Sequence, residues 1–272
     1  MRRLLVGLVV IPLLEAGCGT AAHAAGSSHA NPTLAAARAA LAPTGKLRLG
    51  FPTAPPFLGQ QDPSSGRWTG VAVTLGAALA ATLGVPLEPV RYDNPPAAYQ
   101  ALMSGSVDVV MAPLQIKPAG VSGTPVLMRV QHSFLVKSGS PLQSVSDVDR
   151  SGITLGSGRG EGHTPVLAAQ LHNAKLLQFS PDQAGVAALM AGQIDAYAGG
   201  RAELAGAMAQ APGLRILDGS FFTPGFGFAT LASDTKGAAY LNSFAAAQLS
   251  SGDVVRDIDA LNKPGVLPGP SD

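Results

Sequence analysis

One segment of this chain occurs twice, as ALMSGSVD at residues 101–108 and as ALMAGQID at residues 188–195. Each copy is typical of a helix end, followed by a glycine that can adopt a positive φ and by the start of an apolar strand. Predicted strands and helices alternate around both copies, an order typical of a mostly parallel sheet covered by helices on both faces. The repeat therefore predicts an α/β fold of two similar lobes, each with a doubly wound sheet.

The rest of the chain extends this pattern. Apolar runs or alternating apolar residues predict strands at 46–51, 87–92, 107–111, 153–155, 175–179, 194–198, 214–217 and 226–231. Apolar residues at helical spacing predict a helix from Val71 to Leu83, a short helix over 34–41 and two helices after Asp234. Nothing in the final helices indicates a third lobe, so we expect them to return to the first.

The composition excludes several classes of protein. The 272 residues include 18 Lys and Arg against 17 Asp and Glu, and only 13% are charged. A nearly neutral chain without a long basic run lacks the positive surface that binds nucleic acid. Beyond the N-terminus no apolar run is long enough to span a bilayer, and a hydrophobic content of 46% argues against intrinsic disorder. We expect a folded monomer of one or two domains.

The first residues have the pattern of an export signal. Two arginines precede an apolar segment, Leu4–Leu14, that is too short for a membrane helix. Cys18, the only cysteine, follows two small residues, and this resembles the lipobox at which bacterial lipoproteins are cut and acylated. We expect a signal peptide at 1–17, a lipid on Cys18, a tether over 18–45 and a location in the periplasm or at the outer face of the cell membrane. A competing cut after Ala24 would release a soluble protein.

Several pieces of the chain, taken in their order and spacing, resemble one family. They are the turn at 54–57, the helix that follows Trp68, the segments 101–112 and 188–198, and the segment 144–150 that leads into the glycine-rich loop 156–162. Over residues 46–264 the chain resembles the extracytoplasmic solute-binding proteins of bacterial ABC importers, family 3, of the amino-acid-binding type. The resemblance implies the periplasmic-binding-protein-like fold of type II, in which two crossover strands join two lobes and a small polar solute binds between them.

The resemblance also implies boundaries and a partner. Lobe 1 would comprise 46–130 and 229–264, lobe 2 would comprise 136–222, and the hinge would lie at 131–135 and 223–228. The protein would bind its solute without turnover and present it to an ABC permease in the membrane.

The chain departs from amino-acid binders of this family where they hold the zwitterion. Gly120 stands at the position of the arginine that clamps the α-carboxylate, and Gly200 at that of the acid that pairs with the α-ammonium. Ala72 stands at the position of another customary acid, and Ala54 at that of a customary aromatic residue. The chain therefore resembles a divergent branch without the usual zwitterion clamp.

The position of the site also follows from the predicted sheets, because open parallel sheets bind ligands at the carboxyl ends of their strands. The candidate ligand-binding residues near those ends are Phe51, Ala54, Asn94, Pro113, Gln115, Arg159, Gly160, Glu161, His163, Gly200 and Arg201. Glycines let the backbone of the loop approach a solute, and a guanidinium such as that of Arg159 can grip a carboxylate through two hydrogen bonds. Together with Lys117, the two arginines favour an anionic or carboxylated solute.

Other functions stay open. Periplasmic cyclohexadienyl dehydratases use the same fold, and Glu161 is the carboxylate that could serve as the acid of an elimination. A sensor that reports bound solute to a partner protein would have the same sequence features. The five histidines lack metal-binding spacing and the chain has no G-x-S-x-G nucleophile elbow, so we expect no metal site, no cofactor and no acyl-transfer chemistry.

Overall fold

The structure, a computed structural model, describes residues 33–270. The predicted signal peptide and Cys18 lie outside the described residues. The helices are α1 (Leu34–Leu41), α2 (Val71–Leu83), α3 (Pro95–Met103), α4 (Thr164–Gln170), α5 (Asp182–Met190), α6 (Arg201–Gln210), α7 (Thr235–Ser250) and α8 (Asp253–Leu261). The strands are β1 (Leu47–Pro52), β2 (Gln60–Gln61), β3 (Trp68–Thr69), β4 (Leu87–Tyr92), β5 (Val109–Pro113), β6 (Val121–Gly123), β7 (Met128–Val130), β8 (His132–Lys137), β9 (Thr154–Gly158), β10 (Lys175–Phe179), β11 (Ala196–Gly200), β12 (Leu214–Ile216), β13 (Gly225–Leu231) and β14 (Val266–Pro268).

The strands form two main sheets, which confirms the predicted fold class. The larger sheet has the order β14-β7-β13-β5-β1-β4, with β6 paired to β13, and the smaller has the order β10-β9-β11-β8-β12. Each contains three parallel strands, with β1 between β4 and β5 in one and β9 between β10 and β11 in the other. The strands β13 and β8 run antiparallel to these at equivalent places. Both sheets are therefore mixed. The strand β8, on which the chain enters the smaller sheet, and the strand β13, on which it returns to the larger, run against the parallel set.

Each sheet is covered on both faces. In β5, Val109 and Met111 pack in a core with α2 and α7, whereas Val110 and Ala112 pack against α3 on the other face. The smaller sheet has the same two-sided core, with α4 on one face and α5 and α6 on the other. Burial on both faces explains why these strands are apolar at nearly every position.

The chain crosses between the sheets twice. Gln131 alone separates β7 of the larger sheet from β8 of the smaller, and the return runs from the end of β12 to the start of β13. The expected hinge ranges 131–135 and 223–228 therefore overlap the first residues of β8 and β13.

The two copies of the repeated segment occupy equivalent places, as predicted. Each begins at the end of a helix, α3 or α5, and turns through a glycine with positive φ, 75° at Gly105 and 73° at Gly192. Each then ends in an aspartate whose carboxylate accepts a backbone N–H from the first parallel strand of its sheet. Asp108 accepts from Arg48 N at 3.0 Å, and Asp195 accepts from Thr154 N at 2.7 Å.

The tether prediction needs a correction at its C-terminal end. Residues 34–41 form the predicted short helix, but Ala37 and Leu41, one helical turn apart, are fully buried in the core of the larger sheet. The chain from Leu34 onwards thus belongs to the folded body. At the other end, β14 pairs with β7 beyond the expected limit of lobe 1 at residue 264.

The equivalent aspartates differ in one contact, which gives a stability prediction. Asp108, with its side chain 4% exposed, also pairs with the guanidinium of Arg48 at 2.6 Å, whereas Asp195 is exposed and has a threonine at the matching position. Removing one partner of a buried ion pair costs about 3 kcal/mol, and losing one exposed hydrogen bond costs about 1 kcal/mol. We expect Asp108→Ala to lower the free energy of unfolding more than the matched variant Asp195→Ala, as measured by urea denaturation. Equal losses would show that the ion pair adds nothing.

Candidate functional site

A small cavity of about 60 Å³ lies where loops of the two sheets meet. It is lined by the residues that follow β1, β4, β5 and β9, by the first turn of α6, and by residues at both chain crossings. Its lining includes Ala54, Asp93, Asn94, Pro113, Ile116, Val130, His132, Gly160, Glu161, His163, Glu203, Phe222 and Phe226. The carboxyl ends of parallel strands thus converge on one cavity, as in other open α/β sheets that bind ligands.

A larger cavity of about 690 Å³ adjoins the small one. The two share Ala54, Glu161, His163 and Glu203. Helices α5 and α6 supply the walls of the larger cavity, which we call the α5–α6 trough. Its apolar lining includes Val186, Ala187, Met190, Leu204, Ala207 and Ala211. The residues that the two cavities share include the carboxylates Glu161 and Glu203, and the trough adds apolar walls.

Three carboxylates, those of Glu161, Asp182 and Glu203, line the trough; we call them the carboxylate cluster. Two of them lie against Gly158, at the end of β9. A Cβ atom added to Gly158 would lie 2.4 Å from Asp182 Oδ1 and 2.6 Å from Glu161 Cγ. The absence of a side chain at residue 158 thus lets both acids approach the backbone. Asp182 also accepts a hydrogen bond of 3.2 Å from the Tyr197 hydroxyl.

Glu203 occupies the space beside Gly200. Gly200 is the residue that stands where amino-acid binders of the resembling family have an acid. It is the third residue of α6, and its Oε2 accepts the backbone N–H of Gly200 at 3.2 Å. A Cβ atom at Gly200 would lie 2.7 Å from the same oxygen. A carboxylate thus reaches this place from three residues further along the chain.

The environment of the cluster favours protonation. The side chain of Glu203 is open to the cavities, but the surrounding protein removes much of the bulk water around it. This desolvation raises the pKa of Glu203 to about 7. The charges of Glu161 and Asp182 raise it further, each by a smaller amount. The hydrogen bond from Gly200 N opposes the shift. Burial, and then the charge of Asp182, also raise the pKa of Glu161.

Two histidines face the small cavity without adding positive charge at neutral pH. The rings of His132 and His163 are stacked at a tilt, with centroids 4.9 Å apart. Burial lowers the pKa of His132 to about 4 and that of His163 to about 3, the latter also through the neighbouring His132. Both imidazoles are therefore neutral at pH 7, and His163 Nε2 lies 3.1 Å from the buried hydroxyl of Ser157.

The basic residues expected at the site lie elsewhere. Arg159 is exposed and lines neither cavity. The guanidinium of Arg201 donates hydrogen bonds to the carbonyl oxygens of Leu217, at 2.8 Å, and Gly219, at 3.0 Å. Lys117 is exposed as well. Within residues 33–270, no Arg or Lys side chain lines the small cavity or the trough.

The other candidate residues divide into two groups. Ala54, Asn94, Pro113, Gly160, Glu161 and His163 line the small cavity together. Phe51 does not, because it is fully buried in the core, with its ring edge-to-face on Trp68 at 5.8 Å. Gln115 is exposed outside both linings, and its Oε1 accepts the N–H of Gly225. Gly200 is absent from both linings, and its backbone N–H donates to the carboxylate of Glu203, as described above.

Sequence reasoning missed Asp182, Glu203 and His132 as lining residues. Asp182 and Glu203 share a signal that could have found them, because both are acids in the first turn of a helix that follows a parallel strand. Such positions lie at the carboxyl edge of the sheet. His132 follows Gln131, the residue that separates the two sheets, and nothing local marks it as part of a cavity.

The comparison with known families agrees with this architecture. Residues 47–254 match the family of bacterial extracellular solute-binding proteins, family 3. The chain belongs to this family. The match confirms the resemblance predicted from the sequence and assigns this family 3 protein an extracytoplasmic solute-binding role. Among residues 33–270, no helix is both long and apolar enough to cross a bilayer. A search of curated proteins finds no significant sequence match.

Solved structures with the same fold include three informative examples. A binding component of an ABC transporter from Wolinella succinogenes, in complex with lysine, is 24% identical with a TM-score of 0.67, and the match covers 79% of this chain and 95% of that one. The arginine-bound, truncated ArgBP from T. maritima is 21% identical with a TM-score of 0.60, covering 75% and 97%. An ancestral amino-acid-binding protein described as a precursor of cyclohexadienyl dehydratase is 22% identical with a TM-score of 0.65, covering 80% and 96%. At these identities the likeness establishes the fold of this family 3 protein.

The pKa of Glu203 predicts a pH dependence of stability. Below its ordinary pKa of 4.5, Glu203 is protonated in the folded and unfolded states alike. As pH rises to about 7 the unfolded state loses this proton first, so the contribution of Glu203 to the free energy of unfolding falls and is lost above pH 7. We expect the melting temperature of Glu203→Gln, relative to wild type, to rise between pH 4.5 and 7.5. The control Asp259→Asn, at an exposed position of α8, should show no such trend; parallel curves for all three proteins would contradict the assignment.

Proposed function

We propose that this protein is the extracytoplasmic receptor of a bacterial ABC importer and that it captures a positively charged organic solute in the cavities between its two sheets. One observation carries the charge preference: Glu161, Asp182 and Glu203 line the trough, while no Arg or Lys side chain among the described residues lines it or the small cavity. The proposal thus reverses the anionic solute that Arg159, Arg201 and Lys117 favoured in the sequence.

Electrostatics supports this choice of solute. A unit charge about 4 Å from a carboxylate gains about 4 kcal/mol of Coulomb energy near a protein surface, before the cost of removing water. The neutral histidines do not offset the negative charge. The proposal is supported by two solved structures of the same fold, one in complex with lysine and one bound to arginine.

The proposal includes a membrane partner and a mode of action. The Wolinella protein, a binding component of an ABC transporter, supports an ABC permease as the partner. We propose that the bodies built on the two sheets close around the solute by a hinge at the chain crossings, near Gln131 and between β12 and β13. The export signal, the lipid on Cys18 and a monomeric state remain parts of the proposal.

A dehydratase is the alternative, and the raised pKa of Glu161 favours it because a protonated acid can assist an elimination. The substrates of cyclohexadienyl dehydratases carry carboxylates, which the carboxylate cluster would repel. Ser157, next to His163, is fully buried and cannot reach a solute as a nucleophile. We therefore propose binding without turnover.

The test is calorimetric titration of the purified protein with cations (lysine, arginine, cadaverine and agmatine) and with anions (glutamate, succinate and prephenate). We expect at least one cation to bind, no anion to bind and prephenate to remain intact. Asp182→Asn and Glu203→Gln should each weaken cation binding by on the order of tenfold, since each removes one charge contact of about 1–2 kcal/mol, whereas Asp259→Asn should leave it unchanged. Preferential binding of an anion, turnover of prephenate, or no cation bound would overturn the proposal.

A further inference from the structure

The cavities offer few groups that could hold a carboxylate. Asn94 Oδ1 caps α3 by accepting the N–H of Ala97 at 2.9 Å, so the side chain offers a solute only the neutral donor Nδ2. The N–H of Gly200 is already donated to Glu203. The guanidinium of Arg201 donates to two carbonyl oxygens, and the side chain of Arg159 does not line the small cavity. Gly120, which has no side chain, is exposed with a φ of 83° and open space around it.

The glycine loop is one source of backbone N–H groups at the small cavity. It carries Glu161 itself, and Gly158 at its start lies against Asp182. A solute carboxylate placed at this loop would therefore meet two negative side chains without a positive partner. Desolvating a carboxylate under these conditions is strongly unfavourable.

The trough shows what the uncharged part of the solute would contact. Five apolar side chains of α5 and α6 line it together with Ala211, the residue after α6, and Met190 is 44% exposed, so apolar surface stays open to an occupant. At about 690 Å³, the trough has room for a solute body of several carbon atoms beside the carboxylate cluster. The small cavity, at about 60 Å³, has room for a compact charged group and a few water molecules.

On the basis of the receptor function proposed above, we propose that the solute is an organic amine or guanidine without a carboxylate. Its cationic group contacts Glu161, Asp182 and Glu203, and its apolar body lies in the α5–α6 trough. The site thus rejects an α-amino acid, because the carboxylate cluster repels the α-carboxylate and no cationic side chain pairs with it. It accepts the corresponding decarboxylated amine.

The first test compares matched pairs that differ by one carboxylate: lysine and cadaverine, arginine and agmatine, phenylalanine and phenethylamine. We expect the amine of each pair to bind on the order of tenfold or more tightly than its amino acid in calorimetric titrations. If the amino acids bind as tightly or more tightly, this inference is wrong while the cation receptor stands. If no cation binds, the receptor proposal itself fails.

The second test addresses the trough. Phenethylamine should bind more tightly than methylamine, because only the former has an apolar body to bury. Ala207→Phe, which fills the trough, should remove that difference, whereas the control Ala246→Phe, on an exposed face of α7, should preserve it. Circular dichroism and thermal melting establish that both variants fold. An unchanged preference for phenethylamine in Ala207→Phe would place its body elsewhere and overturn the trough assignment.

Discussion

Mutual repulsion within the carboxylate cluster is the constraint on which the rest of the site depends. Glu161, Asp182 and Glu203 share one cavity, and no Arg or Lys is among the described residues that line it. The protein tolerates this arrangement because Glu203 can hold a proton near neutral pH and because hydrogen bonds from Gly200 and Tyr197 support individual carboxylates. Unbalanced charge of this kind is costly in an empty cavity and favourable once a cation occupies it.

The sheet topology gathers these groups. Strands β9, β10 and β11 are parallel neighbours, so the loops and helices that follow them begin at the same edge of the smaller sheet. Glu161 follows β9, Asp182 begins α5 after β10, and Glu203 lies in the first turn of α6 after β11. Two glycines make the close approach possible, because residues 158 and 200 have no Cβ atom in the space that the carboxylates occupy.

Much of the fold could be predicted from local patterns, whereas the charge of the site could not. The repeated octapeptides, the apolar strands and the helix at 34–41 depend on short-range rules that the structure confirms. Phe51 was wrongly placed at the site, although it shares the alternation of Leu47 and Leu49 and therefore belongs to the same core face. Gln115 is engaged by Gly225, which is distant in sequence, and no local pattern reveals such a contact. Glu203 was overlooked because the acid was expected at Gly200 itself, while the carboxylate folds back over one helical turn.

The smaller sheet supplies all three members of the carboxylate cluster, while the larger contributes the neutral Ala54, Asn94 and Pro113 and one acid, Asp93. The charged residues of the proposed site are thus unevenly divided between the two sheets. In the proposed receptor, the half built on the smaller sheet would discriminate among solutes, and the other half would act chiefly as a cover. If the proposed site is the one that binds solute, changes within 132–216 alone would alter the preference for charge, and an exchange of that segment between relatives would transfer it.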